Sequence, residues 1–259
     1  MTAVNRLLLA EWTKLRSLRS TWWTLAAMVV ASIGLATLIS ATSASHFAGQ
    51  NISYKADWDP TNESLAGTVF GQLAIAVFGV LAITGEFASG TIRSSIAAVP
   101  RRTRLLAAKA AVYGGVALVA GEAISLASFV IGQQIIAQHA PHASLGQPGV
   151  ARAVVMAGVY LALISVIALG IGCLLRHTAG AIAAVVAILL VVPAITSALP
   201  ESFQNSFGMF LPVQIGGASM GAVVRVPHAL SPWAGLGVLS LYAAVALAVA
   251  GWSLVRRDV

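Results

Sequence analysis

Three carboxylates in this chain draw attention: Glu11 within an apolar arc, Glu122 within a spanning run, and Glu86 where a helix end leaves the membrane. Glu11 falls in Ala10-Glu11-Trp12, Glu86 in Gly85-Glu86-Phe87 and Glu122 in Gly121-Glu122-Ala123. Glu122 interrupts a long apolar run, and an ionisable group at membrane depth is a functional candidate by default. Two roles are open for it: a structural hydrogen bond to another helix, or a place on a path taken by substrate or protons. Glu11 can pair with Lys14 one turn on or snorkel to the interface, or it can contact a cytoplasmic partner. Other chemistry is missing from the sequence. Of the three lysines, Lys14, Lys55 and Lys109, none follows a glycine, so there is no G-x-x-x-x-G-K-[ST] phosphate loop. Any ATP and Mg would be bound by a separate subunit. No H-E-x-x-H occurs, and His139 and His142 alone make a poor metal pair. The single cysteine, Cys173, excludes a disulfide scaffold and a cysteine-based zinc site. Ser89 has no paired histidine to make it a nucleophile. The chain is therefore expected to hold no cofactor or metal and not to be an enzyme.

The elements that must carry these residues follow from composition. The 259 residues are 58% hydrophobic and 9% charged, with a mean hydropathy of +0.89. A soluble domain is roughly 25% charged, so a polytopic, all-α membrane protein is expected. A spanning helix needs about 20 mostly apolar residues. Runs that meet this give six spans: Thr21–Ala41, Leu65–Gly85, Leu106–Ala137, Ala151–Leu175, Thr178–Leu199 and Pro232–Val255. With six spans and the N-terminus inside, twelve of the fifteen basic residues lie on the cytoplasmic side, leaving Lys55, Arg152 and Arg225 outside. A seventh span would move Arg256 and Arg257 outside, so six is preferred, with both termini cytoplasmic. The first apolar stretch exceeds the roughly 7–15 residues of a signal-peptide core and is read as a retained span. Trp22, Trp23, Trp233 and Trp252 fall near span ends, where interfacial aromatics belong. Too few basic residues cluster for nucleic-acid binding.

Three segments outside the spans remain. Residues 3–20 have Val4, Leu7, Leu8, Trp12, Leu15 and Leu18 at helical spacing, with Arg6, Thr13, Arg16 and Ser17 opposite, which predicts an amphipathic interfacial helix. Glu11 lies oddly within the apolar arc. In residues 86–104, Gly90 is a helix stop, Thr91 an N-cap and Pro100 a second stop, which predicts a short helix over Thr91–Val99; Thr103 can cap the third span. This helix can be a lever between spans, or a connector whose arginines bind lipid phosphates. Residues 203–224 contain Pro212, Gly216 and Gly217, which break a helix. They are read as two short re-entrant helices in the outer leaflet. Asn205, Pro212 and Gln214 can form a gate there, and the polar groups can equally satisfy the broken backbone. Gly67 and Gly71 form a G-x-x-x-G that can seat a second copy.

The pattern E-x-x-x-G-T-I-R from Glu86, followed by a short helix and Pro-Arg-Arg at 100–102, resembles the ABC-2 type permeases, the membrane subunits of bacterial ABC exporters. The opening N-R-L-L-L-A-E-W-T-K-L-R-S-L-R-S is similar to their N-terminal interfacial helix, with Glu11, Trp12, Lys14 and Arg16 among its residues. The Arg-over-Lys bias, twelve to three, and the Ala and Val richness resemble the actinobacterial branch. The resemblance implies a bacterial plasma-membrane location and a complex of two permeases, identical or paralogous, with two ATPase subunits. It implies that Thr91–Val99 is a coupling helix, and that Glu86, Gly90, Thr91, Ile92, Arg93, Ile96, Pro100, Arg101 and Arg102 make up the ATPase-coupling loop, with Ile92 and Ile96 on the face that meets the ATPase. It further implies ATP-driven outward transport of a hydrophobic or amphipathic drug, peptide or lipid. The alternatives are a non-transporting or immunity-type membrane protein, and a membrane-embedded lipid- or peptide-processing enzyme.

Overall fold

The structure, a computed structural model, describes residues 3–99, 101–222 and 229–256. Pro100, the end of the 203–224 segment at Val223 and Val224, Arg225 and Arg257 lie outside the described residues. Among the described residues there are helices and no strands, and six helical stretches are long and apolar enough to cross a membrane.

Helix α1 (Ala3–Ser17) precedes the first span, α2 (Arg19–His46), which runs on through a 3-10 turn at Phe47–Gly49. Two short helices follow, α3 (Ile52–Ala56) and α4 (Pro60–Leu65). Asp59 caps α4 by accepting from the backbone N–H groups of Thr61 and Asn62, and Pro60 fills the first helical position. The second span, α5 (Thr68–Ala88), continues three residues past the expected end at Gly85, so Glu86 lies inside its last turn. Then come α6 (Thr91–Ala98), α7 (Arg102–Ile136) and α8 (Val150–Leu175). Helix α7 starts four residues before the expected third span. Its 35 residues extend about 52 Å, well beyond a hydrocarbon core of about 30 Å.

The fifth span is not one regular helix, as its unbroken apolar pattern had implied. It runs as α9 (Thr178–Val186), a π-helical turn at Ala187–Val191 and α10 (Val192–Ser197). The 203–224 segment forms two short helices as expected, α11 (Glu201–Phe207) and α12 (Pro212–Met220), joined by a 3-10 turn at Gly208–Phe210. The expected breakers act differently: Pro212 starts α12, and Gly216 and Gly217 lie within it. The last span is α13 (Pro232–Arg256).

Helices α8 and α5 form the centre of the bundle. Over its most apolar stretch α8 is 67% buried and α5 61%, against 22% for α2 and 17% for the fifth span. The two lie close because small residues line their seam. A Cβ on Gly79 would overlap the Ser165 carbonyl, and one on Gly172 would press on Ile83 and the Val80 carbonyl. Gly67 and Gly71, expected to seat a second copy, lie instead against Ser32 and Ala36 of α2 in the same chain. A core hydrogen bond from the Tyr160 hydroxyl to Gln72 Oε1 joins α8 to α5 again.

The end of the bundle opposite α1 and α6 is closed by loop contacts. Asp59 Oδ2 accepts from the Ala222 N–H at 2.8 Å, and Arg152 donates to the Gly221 and Ala222 carbonyls at 3.0 and 3.1 Å. Trp58 donates to the Pro141 carbonyl at 2.8 Å, and Gln133 joins Pro60, Ser64 and Ala143. Gly79→Val is expected to destabilise the bundle by about 1–3 kcal/mol through overpacking against α8. Thermal unfolding of the detergent-purified protein measures this; Gly85→Ala, where the added methyl meets open space within a helix, should not lower the midpoint.

Candidate functional site

All four ion pairs described between side chains form one cluster at the α1 and α6 end of the bundle. Lys109, seven residues into α7, is fully buried. Its ammonium lies 2.7 Å from Glu11 Oε2 on α1 and 2.6 Å from Glu86 Oε1 on α5. Lys14 of α1 reaches Glu86 Oε1 at 2.9 Å and Glu11 Oε1 at 3.2 Å. It also donates to Ser95 Oγ on α6 at 2.9 Å. Lys109 has the Ala82 carbonyl as a third acceptor at 3.4 Å. Each ammonium thus has an acceptor for all three of its N–H groups. The cluster is formally neutral, with two carboxylates and two ammonium groups. Glu11 is 1% exposed and Glu86 13%, so neither can leave its partners without an uncompensated buried charge. Burial works against the Lys14 ammonium, but its hydrogen bond to Glu86 and the charges of Glu11 and Glu86 outweigh that, and its pKa is held above the usual lysine value.

The helices bring these groups together for local reasons. On α1, Glu11 and Leu15 are one turn apart and both buried, with Lys14 beside them, so this face lies against the bundle. The place of Glu11 in the apolar arc is explained: it faces inward towards Lys109. The expected Glu11–Lys14 pair is present, but Lys109 is the nearer partner. Trp12 and Arg16 point outward, Trp12 being 42% exposed. Past Glu86, helix α5 ends and Gly90 turns the chain with φ 71°, a left-handed conformation that suits glycine. Thr91 is then the first residue of α6, not its cap as expected; its hydroxyl lies 2.9 Å from Ser89 Oγ. Thr103 likewise lies in the first turn of α7, whose N-cap is Arg101.

The orientation of α6 corrects a further expectation. Ile92 is 2% exposed and Ile96 is packed on the hydrophobic core, so both hold α6 to its own chain. Thr91, Arg93, Ser94, Ala97 and Ala98 form its exposed face. Arg101 is exposed, whereas Arg102 donates to the Leu254 carbonyl at 2.7 Å. Arg176, at the left-handed end of α8, lies 3.4 Å from the Ser253 carbonyl and stacks over Phe87. Two guanidiniums thus meet carbonyls of the last turns of α13, where positive charge is favoured.

The remaining candidates lie elsewhere. Asn205 and Gln214 are exposed and share the lining of a cavity of about 130 Å³ with Thr196, Ser197 and Gln204. Gln204 donates to the Ser197 and Leu199 carbonyls, satisfying backbone at the break. Pro212 is buried and borders a separate apolar cavity of about 340 Å³ with Ile188, Leu189 and Tyr242. Glu122 is half-buried on α7, remote in sequence from the charged cluster and without a described bond to it. Sequence reasoning missed Lys109 and Ser95. The available signal was electrostatic: two carboxylates beside apolar residues need buried cations, and Lys109 is the one lysine within a spanning run.

The architecture defines a multi-pass membrane protein with a charge-bonded group of helices at one end. Residues 7–194, from α1 into α10, match the family model described as ABC-2 family transporter protein. The chain belongs to that family, and as such is a membrane subunit of an ABC transporter. No curated protein matches it closely enough to be named beside it.

Removing one charge from the cluster should be worse than removing a pair. Lys109→Met leaves a net negative buried charge and is expected to cost about 3–5 kcal/mol. Adding Glu11→Leu restores neutrality and should recover much of that loss. Melting midpoints of the two single variants and the double variant in detergent measure the cycle, and additive losses would show that the charges are not coupled.

Proposed function

We propose that this chain is the permease subunit of an ATP-driven exporter. In this reading its α1 and α6 end is cytoplasmic and docks on a separate ATPase subunit that binds ATP and Mg, and two permeases, identical or paralogous, form the path. The location is a bacterial plasma membrane, with α1 at the lipid surface and α11 and α12 in the outer leaflet. The cargo class is a hydrophobic or amphipathic drug, peptide or lipid.

The observation that carries this reading is the charged cluster. It joins α6, the short helix with a free outer face, to α1, to the end of α5 and to α7. A push on α6 therefore moves four elements together as a packed unit. Through α5 the displacement reaches α8 at the centre of the bundle. The contact surface for the ATPase is the Thr91, Arg93, Ser94, Ala97 and Ala98 face, together with the exposed Arg101. Ile92 and Ile96 support this surface from behind.

Arg93→Glu with Ala97→Asp should abolish co-purification with the cognate ATPase and remove its stimulation, while the purified permease keeps its melting midpoint. Ile92→Asp should instead lower the stability of the permease itself. Normal ATPase binding by the Arg93→Glu, Ala97→Asp variant would defeat the docking assignment. Sidedness has its own check. Cys173 is buried, so single introduced cysteines report cleanly. Ala97→Cys should react with an impermeant thiol reagent from the cytoplasmic side, and Gln214→Cys from the outside or not at all.

A further inference from the structure

Glu122 lies half-buried on the flank of the bundle, at the contact between α7 and α8. The two helices touch closely there: a Cβ on Gly121 would meet the Gly158 carbonyl, and a Cβ on Gly158 would fall on the Glu122 carboxyl group. The carboxyl thus rests over a position that only glycine leaves open. Gly158 is eight residues into the 26-residue α8, about 12 Å from one helix end and about 25 Å from the other. That places the carboxyl within the hydrocarbon, which is about 30 Å thick.

The flank around it is exposed and apolar. Val119, 72% exposed, and Leu126, 45% exposed, flank Glu122 on α7, and Val155, 52% exposed, lies across from them on α8. A carboxyl group in hydrocarbon must be protonated or matched by a cation. The described residues offer it no ion pair or hydrogen bond. Nearby polar groups are engaged elsewhere: Ser125 Oγ donates to the Val154 carbonyl at 2.6 Å, and Arg152 is held by the Gly221 and Ala222 carbonyls. A cation that matches the ionised carboxyl must then come from outside these residues, and Glu122 lies on the exposed flank of a spanning helix. A visitor from lipid needs an apolar body for Val119, Leu126 and Val155, and a positive head for Glu122.

We propose that Glu122 is a binding site for the ammonium group of a cationic amphiphile dissolved in the bilayer. As a point of substrate entry the site rests on the exporter reading; as a binding site it operates without an ATPase, so the two can fail separately.

The test uses the full chain in phosphatidylcholine nanodiscs, without ATPase. Dicyclohexylcarbodiimide is a lipid-soluble reagent whose C=N bond adds a carboxylic acid, leaving an N-acylurea that peptide mass spectrometry locates. Glu122 should be labelled, and dodecylamine should reduce labelling several-fold while dodecanol does not. Radiolabelled dodecylamine should lose its saturable binding in Glu122→Gln, with size-exclusion behaviour confirming that the variant is folded. If that variant does not fold, the comparison of amine with alcohol on the native chain decides alone. Equal protection by dodecanol would overturn the proposal, because the site would then read only the apolar tail. Saturable amine binding retained by Glu122→Gln would overturn it, as would a carboxyl that never labels, since it would be covered by another chain.

Discussion

Burying an ammonium group is among the costliest things a helical bundle can do, and the organisation of this protein at one end depends on it. Lys109 is fully buried on α7 and needs two carboxylates, which α1 and α5 supply. Those carboxylates carry more negative charge than one lysine can balance, and Lys14 completes the set. The arrangement is closed in both charge and hydrogen bonding. Neutral apolar replacements of similar shape can be as stable as a buried ion cluster. What such replacements would lack is directional N–H···O bonding between four separate helices, and with it a fixed relation between α6 and the rest.

That relation matters because α6 is short and held at few points. Ile92 and Ile96 press it onto the chain, Ser95 ties it to Lys14, and Gly90 sets its direction. Eight residues do not make a stable helix alone. Its shape is therefore a property of the surface beneath it, and displacement of α6 without the ends of α1 and α5 would break the bonds of Ser95 to Lys14 and Glu86 and unpack Ile92. At the same end, Arg102 and Arg176 fasten the last helix. The bundle is thus tied at this end by charge and at the other by backbone-directed bonds from Asp59 and Arg152.

Much of this was legible in the sequence, for physical reasons. Hydrocarbon excludes charge, so apolar runs with few or no charges marked all six spans. Gly90 and the pattern around it located α6. Glu11 was visible as a misplaced charge, and Glu86 as a residue at a helix end. Their partner Lys109 was not, because it lies 98 positions from Glu11 and nothing local marks a contact of that separation. The facing of α6 was misread because isoleucine on a short helix fits either a partner or its own core. The π-helical turn had no marker in an unbroken apolar run. Gly67 and Gly71 announced a close helix contact without saying whether the second helix belonged to the same chain.

The burial of α8 bears on how the protein is made. The central helix is the fourth span, completed only at Leu175. Until then the inward face of α5, with Gln72 and Gly79, has no α8 to lie against, and in the membrane those groups face lipid or transient neighbours. The ionic cluster draws on no charged side chain beyond Lys109. In order of synthesis, every residue of the electrostatic clasp has been added by Lys109, whereas the tight glycine-lined seam lacks its second helix until a further 66 residues have followed.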